Sequence, residues 1–312
     1  MSERAVGQLC PGCGATIAPS ERCCEECGRE PIHRAALPDV TADPAPDRAE
    51  ADLGAVRLIT DRGMTHAHNE DAVAAAVVAD AAGPAVVVVV SDGVSTSHDP
   101  QAASGAAART GVDACLAALA GGSSVQEAVP AGLEAAFEAV RGVSVAAGHA
   151  PSCTYVSAVL RPCGNDEFEI TLANVGDSRA YWLSAERGHG SPSQRLTVDD
   201  SFAQLLIAGG VDEQTAMRDP RAHALMRWLG ADSGHVPGDT AVSSLRVRGP
   251  GALLLCSDGL WNYLPDPDGL AAIATADEPG RAARDLVDFA LHSGGSDNIT
   301  VALVPAIASS AS

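Results

Sequence analysis

Residues 85–90 read Ala-Val-Val-Val-Val-Val and run straight into Ser91-Asp92-Gly93. The run is far short of the ~20 apolar residues that cross a membrane, and a turn signal bounds it, so it reads as a buried strand. Comparable β-rich runs recur at 56–60, 72–78, 155–160, 169–174, 180–183, 252–256 and 299–304. Helical periodicity falls between groups of these runs, at 100–119, 125–146, 201–208 and 281–292, with Pro130 expected at a helix start or a kink. Helices arriving in pairs between strand groups predict an α+β domain of packed layers with large mixed sheets, rather than a repeating βαβ fold. Hydrophobic residues make up 46% of the chain but aromatics only 3%, so the core must be built from Ala, Val and Leu.

Three regions follow from the composition along the chain. Residues 53–307 show no internal break and are expected to form one domain. Residues 31–52 carry Pro38, Pro44 and Pro46 among alanines and acids without an apolar period, which predicts a disordered linker. Residues 1–30 hold Cys10-Pro11-Gly12-Cys13-Gly14 and Cys24-Glu25-Glu26-Cys27-Gly28. A two-residue gap lets both thiolates of a pair face one ion, and two pairs complete the tetrahedral sulfur shell of zinc. Cys10, Cys13, Cys24 and Cys27 are therefore expected to hold one structural Zn²⁺ in a zinc-ribbon-like module that owes its fold to the metal, with Cys23 as a spare. A redox dithiol is the blander alternative, but such pairs normally occur singly beside a βαβ pattern.

The charge balance narrows the partners. Forty Asp and Glu oppose 20 Lys and Arg, a net charge of −20 that disfavours phosphate backbones and anionic lipid, so neither nucleic acid nor a membrane is expected as a partner. The first residues lack the basic flank and apolar stretch of a secretory signal, and the cysteines cluster as metal ligands do rather than as a disulfide framework, so the chain reads as cytoplasmic.

The most informative device is an apolar strand that ends in Asp followed by Gly or another turn former. It occurs at Ser91-Asp92-Gly93 and at Cys256-Ser257-Asp258-Gly259, with related forms at Gly176-Asp177-Ser178 and Ser296-Asp297-Asn298. A single Asp-Gly is usually only a turn. If the strand ends gather Asp92, Asp177, Asp258 and Asp297, however, like charges at ~4 Å repel by roughly 1–4 kcal/mol per pair, and divalent cations are needed to hold them together. All-oxygen shells select Mg²⁺ or Mn²⁺ over zinc, and two such ions activate water for in-line attack on phosphorus.

The residues also resemble a family. Asp61-Arg62-Gly63, Asn69-Glu70-Asp71, Ser91-Asp92-Gly93, Val175-Gly176-Asp177-Ser178-Arg179, Leu196-Thr197-Val198-Asp199-Asp200-Ser201, Cys256-Ser257-Asp258-Gly259-Leu260-Trp261 and Asp297-Asn298-Ile299-Thr300 are similar, in order and spacing, to the motifs of the metal-dependent (PPM, type 2C) serine/threonine protein phosphatases. The resemblance spans residues 53–305 and implies an α-β-β-α sandwich with the metals in a cleft at one edge. It implies hydrolysis of phosphoserine and phosphothreonine on proteins by a metal-activated water at a two-metal centre of Mn²⁺ or Mg²⁺. Asp92 is then the bridging carboxylate, with the Gly93 carbonyl on one metal and Asp258 and Asp297 on the other. Glu70 and Asp71 hold metal-bound waters, and Asp177 with Asp258 binds a third, weaker metal. Residues 202–230 match the family's flap over the cleft, and Asn298 is expected as a supporting turn residue rather than a ligand. Phosphorylated proteins, a serine/threonine kinase acting in opposition and a monomeric state are the partner expectations that accompany the resemblance.

Two departures lie near the substrate. The position of the family's phosphate-gripping arginine holds His66, whose imidazole cannot reproduce a bidentate guanidinium fork, although it can still contact phosphate. After Asp92-Gly93 the chain continues Val94-Ser95-Thr96-Ser97-His98, so a histidine that some members use as general acid is Val94 here, and His98 is the nearby substitute. These changes keep open a second function, a catalytically weak pseudophosphatase that binds phosphoproteins or acts as an adaptor through its zinc module. His189, His223, His235 and His292 read as surface or cap residues, and Cys115, Cys153, Cys163 and Cys256 as small core residues.

Overall fold

A computed structural model of the chain describes residues 8–9, 16–17, 25–26, 32–38, 47–78, 84–143, 150–186, 188, 190–234, 240 and 242–306. In chain order its elements begin with β1 (Gln8–Leu9), β2 (Thr16–Ile17), β3 (His33–Leu37), β4 (Arg48–Asp52), β5 (Arg57–Asp61), β6 (Ala72–Val78) and β7 (Ala85–Ser91). Two helices follow, α1 (Pro100–Ala120) and α2 (Val125–Arg141), then β8 (Ser152–Cys153), β9 (Tyr155–Gly164), β10 (Glu167–Val175), β11 (Arg179–Ser184) and β12 (Gln194–Arg195). The last part comprises α3 (Phe202–Ala208), α4 (Glu213–Ala216), β13 (Leu229–Gly230), β14 (Val242–Arg248), β15 (Gly251–Cys256), α5 (Asp258–Trp261), α6 (Pro267–Ala274), α7 (Pro279–His292) and β16 (Ile299–Ala306).

Two six-stranded sheets carry the domain, one ordered β14-β10-β9-β7-β6-β3 and the other β12-β11-β15-β16-β5-β4. The expected mixed sheets are not found: every pairing among the described strands is antiparallel. Strand β7 shows why its sequence lacks polar alternation. Successive side chains point to opposite faces. Val87 and Val89 pack under α1 and α2, while Val86, Val88 and Val90 pack into the layer between the sheets with Leu253, Leu255, Ala302 and Trp182. The outer face of the second sheet is covered by α5, α6 and α7 through Leu260, Leu270, Leu286 and Val287. The layers are thus α-β-β-α, and alanine-rich helix faces let them approach closely. The helix expected at 125–146 stops at Arg141, capped by Gly142, and Pro130 lies inside it rather than at its start.

The largest correction concerns residues 31–52. Among the described residues there, 32–38 and 47–52, two five-residue strands lie where a disordered linker is expected: β3 pairs with β6 from His33↔Val77 to Leu37↔Val73, and β4 pairs with β5 from Arg48↔Asp61 to Asp52↔Arg57. Each closes one sheet at its edge. Their apolar content is alanine, which hides the alternation, but Ala35, Ala36, Ala49 and Ala51 all pack against the cores. Charge pairs hold the second strand: Arg48 reaches Asp61 at 2.7 Å and Asp288 at 2.8 Å, and Asp47 takes Arg62 at 2.7 Å. The domain body therefore begins by Ile32, not at Leu53. Strand β14 is not marked in the sequence either, because its apolar residues Val242, Leu245 and Val247 do not alternate regularly and most of this edge strand is exposed.

Cys10, Cys13, Cys24 and Cys27 lie outside the described residues, as do His189 and His235. Cys115, Cys153 and Cys256 are buried as expected, whereas Cys163 is exposed at the end of β9. Among the described residues no helix is long and apolar enough to cross a membrane. Because β3 and β4 belong to the sandwich, deleting residues 1–30 is expected to leave the thermal midpoint of the domain almost unchanged. Deleting residues 1–50 removes β3 and the Arg48 pairs and is expected to lower that midpoint by 5 °C or more, on the order of 2 kcal/mol; circular-dichroism melts of the two truncations check this.

Candidate functional site

The strand ends converge on one cleft. Asp92 follows β7, Asp177 follows β10, Asp258 opens α5 after β15, and Asp297 precedes β16. A cavity of about 530 Å³ is lined by these four together with Gly93, Val94, Ser95 and Thr154. Asp71, 1% exposed, lies beneath it and accepts from the Ser257 hydroxyl at 2.7 Å.

Desolvation and mutual repulsion act on Asp71, Asp92, Asp177 and Asp258. Asp92 is pushed well above the usual carboxylate range, first by desolvation and then by Asp71, Asp258, Asp177 and Asp297. Asp258 is raised likewise, by desolvation and then by Asp177 and Asp297. Asp71 is raised to about 6, mainly by burial against the opposing Ser257 hydrogen bond. Asp177 is raised to about 7 by burial and by Asp199, with Arg179 pulling the other way. Arg179 is itself fixed: its guanidinium grips Asp199 through Nε at 3.0 Å and Nη2 at 2.6 Å and lies 3.5 Å over the Trp261 ring. The Trp261 indole in turn donates to the Asp177 carbonyl at 2.9 Å.

The backbone around the acids is pinned from several directions. Asp92 N–H donates to Thr154 Oγ1 at 3.0 Å, and Thr154 N–H donates to the Asp92 carbonyl at 2.7 Å. Gly93 N–H donates to the Glu70 carbonyl, while the Glu70 carboxylate accepts from Ser95 Oγ at 2.5 Å. Asn298 is the supporting residue that its position suggested: its amide donates to the carbonyls of Arg62 and His68 and accepts from Glu70 N–H, tying residues 62–70 to Asp297. Glycine follows each Asp of the two Asp-Gly pairs for want of space, not for a left-handed turn. A Cβ on Gly93 would sit 2.7 Å from the Glu70 carbonyl, and one on Gly259 only 2.0 Å from that of Asn298.

Other expected residues sit elsewhere. His66 points Nε2 at Asp297 Oδ1, 3.2 Å away, and is not among the residues lining the cleft. Arg62 is no substitute for the missing arginine, since its guanidinium is taken by Asp47 and by the His66 carbonyl. His98 does not line the cleft either. The flap segment does: His223, Ala224, Leu225, Trp228 and, beyond the expected boundary, Asp232 form one wall. His223 is exposed, as the surface reading expected, and it also stacks on Trp261 with ring centroids 6.0 Å apart. Nothing in its local sequence could have announced this, because the contact is made across the fold. His292 is the helix-end residue expected, its Nδ1 2.6 Å from the Asp288 carbonyl.

The donor set suits a hard divalent cation. It is all oxygen, and Asp71 Oδ1 and Asp258 Oδ1 are buried without a hydrogen-bond partner. Among the described residues no three or more His, Cys, Asp or Glu side chains are grouped closely enough to hold a metal ion by themselves. Ions of the Mg²⁺ type need no such group, since they take one or two carboxylates and keep several waters.

No family model matches the sequence. Curated relatives do: the serine/threonine phosphatase stp of Listeria welshimeri is 36% identical over 137 residues, 44% of this chain and 51% of the relative. The serine/threonine protein phosphatase PstP of Mycobacterium tuberculosis is 33% identical over 139 residues, 44% of this chain and 25% of the relative. The chain thus matches about half the length, or less, of these relatives. Among solved structures, the PPM Ser-Thr phosphatase MsPP of Mycobacterium smegmatis superposes with a TM-score of 0.60 at 25% identity, over 82% of this chain and 99% of that one. The catalytic domain of PstP in complex with two manganese ions gives 0.53 at 24% identity, over 87% and 96%. The sandwich is therefore the fold of the PPM serine/threonine phosphatases. These relatives and neighbours are protein phosphatases, a class of hydrolase.

Two substitutions separate space from charge at the site. Gly259→Ala is expected to destabilise the protein by about 1–3 kcal/mol, because the Asn298 carbonyl must move. Asp258→Asn removes one of the mutually repelling charges and is expected to stabilise the metal-free protein by on the order of 1 kcal/mol, raising its melting midpoint by about 2–4 °C in chelator. With saturating Mn²⁺ the order reverses, because the wild-type carboxylates then gain a partner; calorimetry with and without metal checks both.

Proposed function

We propose that the chain is a metal-dependent phosphatase that hydrolyses phosphoserine and phosphothreonine monoesters on proteins. The observation that carries the reading is the set of buried, mutually repelling carboxylates on the cleft floor, with Asp71 Oδ1 and Asp258 Oδ1 unpartnered. Asp92, the Gly93 carbonyl, Asp258 and Asp297 would hold two Mn²⁺ or Mg²⁺ ions, and Asp177 with Asp258 a third, weaker one. Bound there, the ions supply charge neutralisation, polarisation of phosphoryl oxygens and a lowered pKa for water. The chain's own residues do the positioning. Thr154 sets the Asp92 backbone and Asn298 sets the 62–70 loop, and Glu70 and Asp71 would hold metal-bound waters. His66 acts by orienting Asp297 rather than by gripping phosphate. A phosphoprotein substrate, a serine/threonine kinase working in the opposite direction and a cytoplasmic setting belong to the same reading.

Mn²⁺-dependent release of phosphate from p-nitrophenyl phosphate tests it. Activity is expected to vanish on chelation, to return with Mn²⁺, and to fall by about 10²-fold or more in Asp258→Ala. Wild-type turnover no higher than that variant's would sink the enzyme reading. It would leave the alternative, a catalytically weak pseudophosphatase that binds phosphoproteins or acts as an adaptor through its zinc module, which is motivated by His66 at the position of the phosphate-gripping arginine.

We also infer one structural Zn²⁺ on Cys10, Cys13, Cys24 and Cys27. The short hairpin of β1 and β2, pairing Gln8 with Ile17 and Leu9 with Thr16, brackets the first cysteine pair and supports the inference. Metal analysis of the purified chain is expected to find one zinc that resists mild chelation beside exchangeable Mn²⁺ or Mg²⁺. Retention of that zinc in a Cys10→Ser, Cys13→Ser double variant would overturn the assignment.

A further inference from the structure

The flap wall of the cleft carries a carboxylate that the proposed chemistry does not use. Asp232 is exposed, unlike Asp71 and Asp177, yet it lines the same cavity. Its Oδ1 accepts from the Trp228 indole at 3.1 Å and lies 3.4 Å from Ser152 Oγ. Both bonds fall on Oδ1, so Oδ2 keeps its capacity to accept from a ligand. Its position relative to the metal-binding acids is fixed: β13 pairs Leu229 with Cys153 and Gly230 with Ser152, and the Ser152 carbonyl accepts from Val94 N–H two residues after Asp92. Packing around Gly230 is tight, with a Cβ there 2.6 Å from Ser152 Oγ and 3.0 Å from Asp232 Oδ1.

Charge then decides what this wall can recognise. The ions proposed for the floor carboxylates Asp92, Asp177, Asp258 and Asp297 would offset their charge, which leaves Asp232 as the lining carboxylate outside that set. The described lining contains no Lys or Arg to oppose it. Two guanidinium groups of the flap are engaged within the flap region, Arg227 with Asp200 at 3.5 Å and Arg221 over the Phe202 ring at 4.1 Å, and Arg218 is not among the residues that line the cleft. An indole beside a carboxylate suits a cation, which gains Coulomb attraction from one and the ring face of the other.

We infer that Asp232, held against Trp228, selects phosphorylated segments that carry a lysine or arginine close to the phosphoserine or phosphothreonine. The inference deepens the phosphatase reading and rests on it. Asp232 is a specificity residue here, acting on the flank of the substrate rather than on the reacting phosphorus.

The test uses three phosphothreonine peptides identical except for Arg, Ala or Glu in the flanking positions. It measures kcat and KM for the full-length Mn²⁺-loaded protein and for Asp232→Asn and Asp232→Lys, with p-nitrophenyl phosphate turnover reporting folding and metal loading. Wild type is expected to favour the Arg peptide over the Glu peptide by about 10-fold in kcat/KM, mostly through KM, and less so as salt is raised. Asp232→Asn, which keeps an acceptor for Trp228 and Ser152, should shrink the ratio to about 2-fold, and Asp232→Lys should invert it. A wild-type ratio that survives in Asp232→Asn assigns Asp232 a structural role only and overturns the inference. Turnover of p-nitrophenyl phosphate without any charge preference among the peptides also overturns it, while leaving the phosphatase reading intact. Absence of turnover on every substrate removes both.

Discussion

Repulsion among buried carboxylates is the constraint on which the rest of the molecule depends. Asp71, Asp92, Asp177 and Asp258 all sit above their usual ionisation range because the fold draws them together in a place with little water. None of them is brought there by attraction to the others. The hydrophobic layer between the sheets does it, pressing the end of β7 from one sheet towards the ends of β15 and β16 from the other. A core of valine, alanine and leucine thereby does electrostatic work, holding in place a set of charges that would separate if the layers slid apart. Arg179 is the buried counterweight, committed to Asp199 and Trp261 while easing the position of Asp177.

Much of this was legible in the sequence because burial on two faces writes itself as uninterrupted apolar residues. Strands β6, β7, β9, β10, β11, β15 and β16 and helices α1, α2, α3 and α7 fall where the runs and periodicities place them, with ends shifted by a few residues. The four Asp at strand ends were legible for the same reason, since each closes or opens such a run. The reason for the glycine beside Asp92 and Asp258 was not. It reflects the carbonyls of Glu70 and Asn298, which approach from distant segments and leave no trace in the local sequence.

What escaped reading falls into two physical classes. The first is edge structure: β3, β4 and β14 bury one face or less and draw on alanine, serine and arginine, so their composition resembles that of a linker or loop. The second is contact across the fold. That His66 turns towards Asp297, that Arg62 is claimed by Asp47, and that His223, Trp228 and Asp232 form a wall of the cleft all depend on partners far away in the chain.

Strand β16 occupies the middle of its sheet, between β15 and β5, although it is the last strand of the sandwich to be made. Asp297 stands two residues before it. A growing chain that has reached Asp258 therefore has two of its future sheet edges open and lacks one of its acids, and the cleft floor closes only when the final strand slots in between its neighbours. Synthesis and completion of the site are thus coupled in time: a chain cut short before Asp297 forfeits a carboxylate and the centre of a sheet together.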